Sequence, residues 1–563
     1  MTGIAFDRDR SALALPLLAS VLLLQACGPH QGLLHSPNSR AAQERREERQ
    51  RPARPEKVGA PRPSRTALVA AQARKLSQAE PSSALARRLA QAPVVGVAPD
   101  LSALGSEERE VLRLLVRASA LMNEVYLRQR HAHNADLHKA LEEDRSAGHA
   151  ERIALFEREF GPWDHFDADR PFVGTEAMPA GAGFYPEDLT RGEFERYLTL
   201  HPRQKAALLS PYTVVRRDGD RLTAVSYSIA YRKWLRPAAK LLEKAAKHTQ
   251  DQQLRHYLML RAGALMTDIY SFSDGAWSRV QHPRFLVDIG PAGRGDDHLM
   301  GIKASLGGFV AVAGDDGKAQ AAGGACAGGQ AIAGELVHAA GADATGIRAA
   351  HALNMAGAKP AASTIAVVCL DNVAALRTER LMRPVAQAVL VARQAGSLAP
   401  GVVEQLASMR ELERSALPPA AGDAALPAEL RADIDAAARV LEMQRASGGE
   451  AADATPLLAA YVVSLFQAMR EGGQAPGARA ALVQYTYLRQ SGGGLGYDAA
   501  SGRFVIDPAA MGAALARARA RLAEGSAGLG QPSDPALDGE GARALSAMAD
   551  LPRDLAFQYP APN

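Results

Sequence analysis

The chain has 563 residues, is 47% hydrophobic and 22% charged, and carries a formal net charge of +4. That length is ample for more than one core, and so small a basic excess gives no ground for a nucleic-acid partner. Three cysteines exclude a disulfide framework, and beyond the N-terminal segment no apolar run is long enough to span a bilayer.

Residues 1–27 read as a lipoprotein signal peptide. Arg8 and Arg10 precede an apolar run, Leu13 to Leu24, too short to span a membrane, and the run closes on Leu24-Gln25-Ala26-Cys27. This tetrapeptide is the pattern at which the signal is removed and Cys27 is lipidated. Each buried acyl methylene contributes roughly 0.8 kcal/mol, so the expected membrane contact is through lipidated Cys27. Gly28, where an aspartate would retain the protein at the inner membrane, points to a bacterial cell-envelope location on the outer membrane, facing the periplasm.

Residues 28–100 are rich in Pro, Arg and Ala, as in Glu44-Arg45-Arg46-Glu47-Glu48-Arg49, and hold few large apolar groups to offset ordering entropy. They read as a disordered tether, solvated rather than bound to headgroups. The body is expected over 101–563, with folding from near Ser106. There Ser106-Glu107-Glu108 opens an amphipathic helix through Val111, Leu114, Leu115, Ala118 and Met122. A polar helix over Gln129 to Glu143 would put His131 and His138 on one face, as solvated histidines. Longer helical patterns follow at Tyr231 to His248, Asp251 to Ile269, Thr378 to Ala395, Pro427 to Ser447, Pro456 to Glu471 and Pro508 to Glu524.

Strand signals are fewer. Tyr212 to Arg217 and Thr223 to Tyr227 flank an Asp218-Gly219-Asp220 turn, and Phe285 to Ile289 and Ser363 to Leu370 are further candidates. The expected fold class is therefore α+β, predominantly helical. A Gly/Ala-rich insertion over 314–334 lacks the Gly-Lys-Ser/Thr ending of a phosphate loop. Cys326 and Cys369 could form one disulfide or remain two thiols. Glu335-Leu336-Val337-His338 has the spacing of a helical metal half-site but reads as a helix end. No Gly-x-Ser-x-Gly elbow is present, and Trp163 and Trp277 read as core anchors.

Several segments, in order, resemble the dipeptidyl peptidase III family of zinc metallopeptidases, in its compact bacterial form. They include Trp163-Asp164, Arg170-Pro171-Phe172-Val173-Gly174, Pro179 to Thr190, Ser210 to Arg217, Ser273-Asp274-Gly275-Ala276-Trp277, Asp288-Ile289-Gly290-Pro291, Asn354-Met355-Ala356-Gly357 and Gln484-Tyr485-Thr486-Tyr487-Leu488. The resemblance implies two lobes flanking a cleft for extended peptides. It also implies a zinc ion held by two helix-borne histidines and a glutamate on a second helix, with a glutamate beside the first histidine activating water. Tyr185, Asn354 and Asn372 fall where peptide contact is expected.

The corresponding catalytic stretch is Met409-Arg410-Glu411-Leu412-Glu413-Arg414-Ser415. Glu411 takes the general-base position, but the histidine positions become Arg410 and Arg414, or Ser415 in the longer family spacing. Glu429, in Glu429-Leu430-Arg431-Ala432-Asp433, takes the third ligand position. A guanidinium stays protonated and has no lone pair to offer a metal. No histidine lies anywhere after His351, so no shift of register supplies one. The family's amine-binding glutamate, its tyrosine and its oxyanion-binding histidine fall on Gly293, Gly295 and Pro476.

The resulting expectation is a catalytically inactive copy with no cofactor, zinc being required only if activity survives, and with a peptide or protein ligand in the cleft. Arg410 and Arg414, four apart on one helix face, would supply the positive charge beside Glu429. An active hydrolase with a site rebuilt from His298, His338 or His351, and a purely structural lipoprotein, are the alternatives.

Overall fold

The computed structural model describes residues 79–97, 101–277, 279–280, 284–293, 295–313, 348–357, 368–415, 417, 425–446, 454–470, 475–490, 492–524, 529 and 537–558. All belong to one compact unit. Among them no helix is long and apolar enough to cross a membrane. The signal segment, the insertion over 314–334, Glu335, His338 and Cys326 lie outside the described residues.

The folded body starts earlier than the composition suggests. Helix α1 (Ser82–Ala90) and strand β1 (Val94–Gly96) lie inside the stretch expected to be a tether. They are ordered because Leu85 is fully buried among Leu155, Phe156 and Phe172. Arg88 adds a second reason, since its guanidinium meets Glu80, Asp164 and Asp167.

Helix α2 (Ser106–Arg130) opens with Glu107 and Glu108 in its first turn, and the Gly105 N–H donates to Glu108 Oε2 at 2.9 Å. Its apolar stripe, including Leu115 and Met122, is fully buried. It stops at His131, whose backbone is extended, and α3 (Asn134–Glu143) begins after the break. His131 and His138 therefore share no helix face. His131 is buried, packs edge-on to Trp163 and lies 2.9 Å from Glu187, while His138 meets Glu157 on α4 (His149–Glu159).

Strands β2 (Trp163–Asp164) and β3 (Arg170–Pro171) form a short ladder. The hairpin β4 (Thr213–Asp218) and β5 (Arg221–Ser226) turns at Gly219, whose φ of +57° favours glycine. A four-residue turn of helix, α5 (Tyr227–Ala230), leads into the antiparallel pair α6 (Arg232–His248) and α7 (Gln252–Thr267). The Asp251 carboxylate caps α7 by accepting from the N–H groups of Gln253 and Leu254. Helix α8 (Ser271–Trp277) follows.

The main sheet has the order β6-β7-β8-β9, formed by Phe285–Gly293, Ser305–Ala313, Arg348–Gly357 and Val368–Leu370. Gly and Ala make up about half of strands β7 and β8, which weakens their strand signal. The small residues have a packing reason: a Cβ on Gly308 would come within 2.3 Å of Ser119 Oγ on α2. The helices and this sheet enclose the first apolar core.

The second core is helical. The stretch Thr378 to Ala395, expected as one helix, is a π-helical turn over Thr378–Met382, α10 (Arg383–Val389) and a short helix over Ala392–Gly396, preceded by α9 (Asp371–Arg377). Between them Leu390 is extended, and the Val391 N–H donates to Phe504 O at 3.0 Å, so a strand contact interrupts the helix. Helices α11 (Pro400–Ser415), α12 (Ala425–Ala446), α13 (Thr455–Met469), α14 (Pro476–Gln490) and α15 (Pro508–Ala523), with the hairpin β10 (Leu495–Asp498) and β11 (Arg503–Ile506), complete it. Strand β12 (Ala556–Gln558) pairs in parallel with β1. The architecture is predominantly helical α+β.

Candidate functional site

Helices α11 and α12 pack side by side, anchored by the fully buried Met409 and Ile434. Arg410 and Arg414, one turn apart on α11, both reach Glu429 on α12. Arg410 Nη2 lies 2.8 Å from Glu429 Oε2, and Arg414 Nη1 lies 2.7 Å from Oε1. Arg410 Nε also pairs with Asp433, one turn beyond Glu429. The carboxylate side chains are 10% and 12% exposed, whereas each guanidinium side chain is 40% exposed. Each Glu429 oxygen thus receives its own cation, which compensates the desolvation of a buried carboxylate.

The network extends to two more helices. The Gln484 amide on α14 donates to Asp433 Oδ2 at 2.8 Å, and its carbonyl accepts from Tyr461 OH on α13 at 2.6 Å. Asp433 is therefore fixed from both sides. The sequence stretch contained Asp433, four residues after Glu429, but gave it no role; that i,i+4 spacing was the available signal. Deeper along the same helix pair, burial pushes the Glu413 carboxyl above its usual range, opposed by Arg439.

This donor set does not fit a zinc ion. Two of the four groups are guanidiniums without a lone pair, and both Glu429 oxygens already accept from them. Glu411 lies on α11, and its side chain is outside the described residues. Gly293 ends β6 at a bulge, Gly295 is exposed, and Pro476 occupies the first turn of α14, so none of these three positions carries a polar side chain.

Of the other expected site residues, the side chains of Tyr185 and His298 are described. Tyr185 is a core residue, 3% exposed, whose hydroxyl donates to Asp297 Oδ2 at 3.1 Å, so it is not available to a peptide. Asp297 accepts in addition from the N–H groups of Met300, Ile302 and Lys303 and closes a turn. Asn354 lies on β8 and Asn372 on α9, a helix rather than a strand or turn; the side chains of both, and that of His351, are outside the described residues. His298 is exposed.

One other group has metal-like geometry among the described residues: Glu159, Asp164 and His165 bring ligand atoms within 4.8 Å of one another. These carboxylates are already engaged. Glu159 accepts from Arg158 at 2.8 Å and meets His165 Nδ1 at 2.5 Å, and Asp164 accepts from Arg88 and from the Phe166 N–H. Burial works against ionisation of Glu159, but His165 and Arg158 outweigh it and hold the carboxyl below its usual range. The cluster is a structural joint between α1, α4 and β2.

Comparison with known proteins agrees with this architecture. A solved structure of DPP III from Caldithrix abyssi matches with a TM-score of 0.75 at 23% identity, covering 84% of this chain and 98% of that one. Dipeptidyl-peptidase III from Corallococcus sp. strain EGB matches with a TM-score of 0.72 at 23% identity, over 85% and 98%. Among curated proteins, Nudix hydrolase 3 of Arabidopsis thaliana is 23% identical over 286 residues, 42% of this chain and 37% of that protein. The chain thus spans little more than a third of that relative. No family model matches. The chain has the dipeptidyl peptidase III fold over most of its length.

Proposed function

We propose that this chain is a cell-envelope lipoprotein that keeps the dipeptidyl peptidase III fold without the peptidase chemistry, and that it binds a peptide or protein partner. The observation that carries this reading is Glu429 held between Arg410 and Arg414, 2.8 and 2.7 Å away. At the positions the resemblance assigns to metal ligands, two fixed cations take up the charge of the third. A pair of guanidiniums holds two helices in register through a buried carboxylate, but cannot polarise a carbonyl or lower the pKa of a water as a metal does. Gly293, Gly295 and Pro476 support the same reading, because each lacks the polar group expected to hold an amine or an oxyanion.

The lipobox-like Leu24-Gln25-Ala26-Cys27 supports anchoring through Cys27, and Gly28 supports an outer-membrane location facing the periplasm. Two measurements test the functional reading. The full chain should hydrolyse none of a panel of dipeptidyl substrates above a blank. A short peptide that binds should raise the melting temperature, since a ligand at a hundred times its dissociation constant adds about 2.7 kcal/mol. Turnover with added zinc would overturn the inactive assignment. Failure of every peptide to shift the melting temperature would leave the fold serving as a structural surface.

A further inference from the structure

The strongest surface feature outside this site is the face of the α6–α7 hairpin. Helix α6 reads Arg232-Lys233-Trp234-Leu235-Arg236-Pro237-Ala238-Ala239-Lys240-Leu241-Leu242-Glu243-Lys244-Ala245-Ala246-Lys247-His248, with a single acidic residue. Its apolar side is buried in the first core through Leu235, Ala239 and Leu242. The opposite side is a cationic stripe. Arg232, Arg236, Lys240 and Lys247 are exposed and make no hydrogen bond or ion pair among the described residues, while Lys244 pairs with Glu110 at 3.4 Å. At 1.5 Å per residue the stripe runs about 22 Å.

The neighbouring exposed positions of α7, namely Gln252, Gln253, His256, Met259, Gly263 and Thr267, include no carboxylate. The chain reverses between the two helices, so the end of α7 lies beside the start of α6. At that end the Ser228 N–H and hydroxyl donate to the Asp268 carboxylate at 3.1 and 2.7 Å, which brings Ile229 next to Ile269. Ile229 is 65% exposed, Ile269 54% and Phe272 70%. Large apolar side chains left in water at the tip of a cationic helix pair have no role in the fold itself.

We propose that this face docks on an anionic phospholipid surface, with Ile229, Ile269 and Phe272 entering the headgroup and acyl boundary and the α6 stripe lying over lipid phosphates. Cations with adjacent exposed apolar groups are the combination that holds a peripheral protein at an interface. A soluble polyanion would satisfy the cations but leave the three apolar side chains in water. The contact is independent of the reading of Glu429, and it would orient a chain already held near a membrane.

The test uses the chain from residue 28 onward, so that neither the apolar N-terminal run nor acylation of Cys27 contributes. Partitioning is measured onto vesicles of phosphatidylglycerol and phosphatidylcholine in equal parts. Since each basic residue near such a surface is worth about fivefold, reversing Arg236, Lys240 and Lys247 to glutamate should lower partitioning at least about a hundredfold. The Arg-rich segment before residue 79 is the same in both proteins and cancels in the comparison. Phe272→Ser should lower vesicle binding while leaving binding to heparin unchanged. Unaltered partitioning of the triple variant, with its melting temperature retained, would overturn the proposal. Vesicle binding insensitive to Phe272→Ser would overturn it too, in favour of a soluble acidic partner.

Discussion

Two ion clusters in this chain use the same groups in different proportion. At α1 a single guanidinium, Arg88, serves three carboxylates, Glu80, Asp164 and Asp167, and its side chain is 8% exposed. At α11 and α12 two guanidiniums, each 40% exposed, serve the buried Glu429, with Asp433 on one of them. In the first, the cation and Asp164, whose side chain is 1% exposed, are both buried, and the cluster is a joint between distant parts of the chain. In the second, the buried partner is the anion and the cations reach it from the wetter side. That contrast assigns different consequences to the loss of each arginine.

The largest effect should come from Arg88→Met. It strands a nearly fully buried Asp164 and removes the tie to α1, so unfolding free energy should fall by about 3–5 kcal/mol in urea melts. At the second cluster, Arg410→Met or Arg414→Met alone leaves Glu429 one cation and should cost about 1 kcal/mol, whereas the double variant should cost about 3 kcal/mol. Adding Glu429→Leu to the double variant should recover part of that loss, because Glu429 is no longer stranded while Asp433 still lacks Arg410. Additive single effects would show that the two arginines do not share the carboxylate.

A sharper comparison replaces both cations by metal ligands. The double variant Arg410→His, Arg414→His should gain zinc-dependent thermal stability, up to about 2.7 kcal/mol at a hundred times the dissociation constant, while the unaltered chain and Arg88→His show none. The smallest effect concerns pH. Burial raises the pKa of Asp144, but the Ser146 N–H, Arg152 and the Ser146 hydroxyl outweigh it and hold the carboxyl down to about 2. Its folded pKa lies below the unfolded value, so its contribution is complete above about pH 4 and is lost as pH falls towards 2. Arg152→Met should flatten that part of the stability profile.

The long helices were legible because their apolar residues recur at helical spacing, as in α2 and the α6–α7 pair. Arg410 and Arg414 were legible as a pair for the same reason, being one turn apart. The partners were harder to read. That Asp433 joins Arg410, and that Gln484 and Tyr461 brace it, depends on how four helices pack, which no local pattern encodes. Strands β7 and β8 were hidden because close approach to α2 demands Gly and Ala, the residues that weaken a strand signal. Helix α1 was hidden in Pro- and Arg-rich surroundings, although its Arg88 is the hub of a buried ion cluster. Tyr185 was expected at a peptide and instead serves the core, since proximity along the chain to matching segments does not say which way a side chain points.

The most direct test of the central claim is zinc stoichiometry by elemental analysis of the full chain, purified without chelators and then equilibrated with a modest excess of zinc. Near-zero retained metal is predicted, with both arginines still needed for stability. One tightly held zinc per chain, lost on Glu429→Gln, would contradict the assignment of Arg410 and Arg414 as the resident cations.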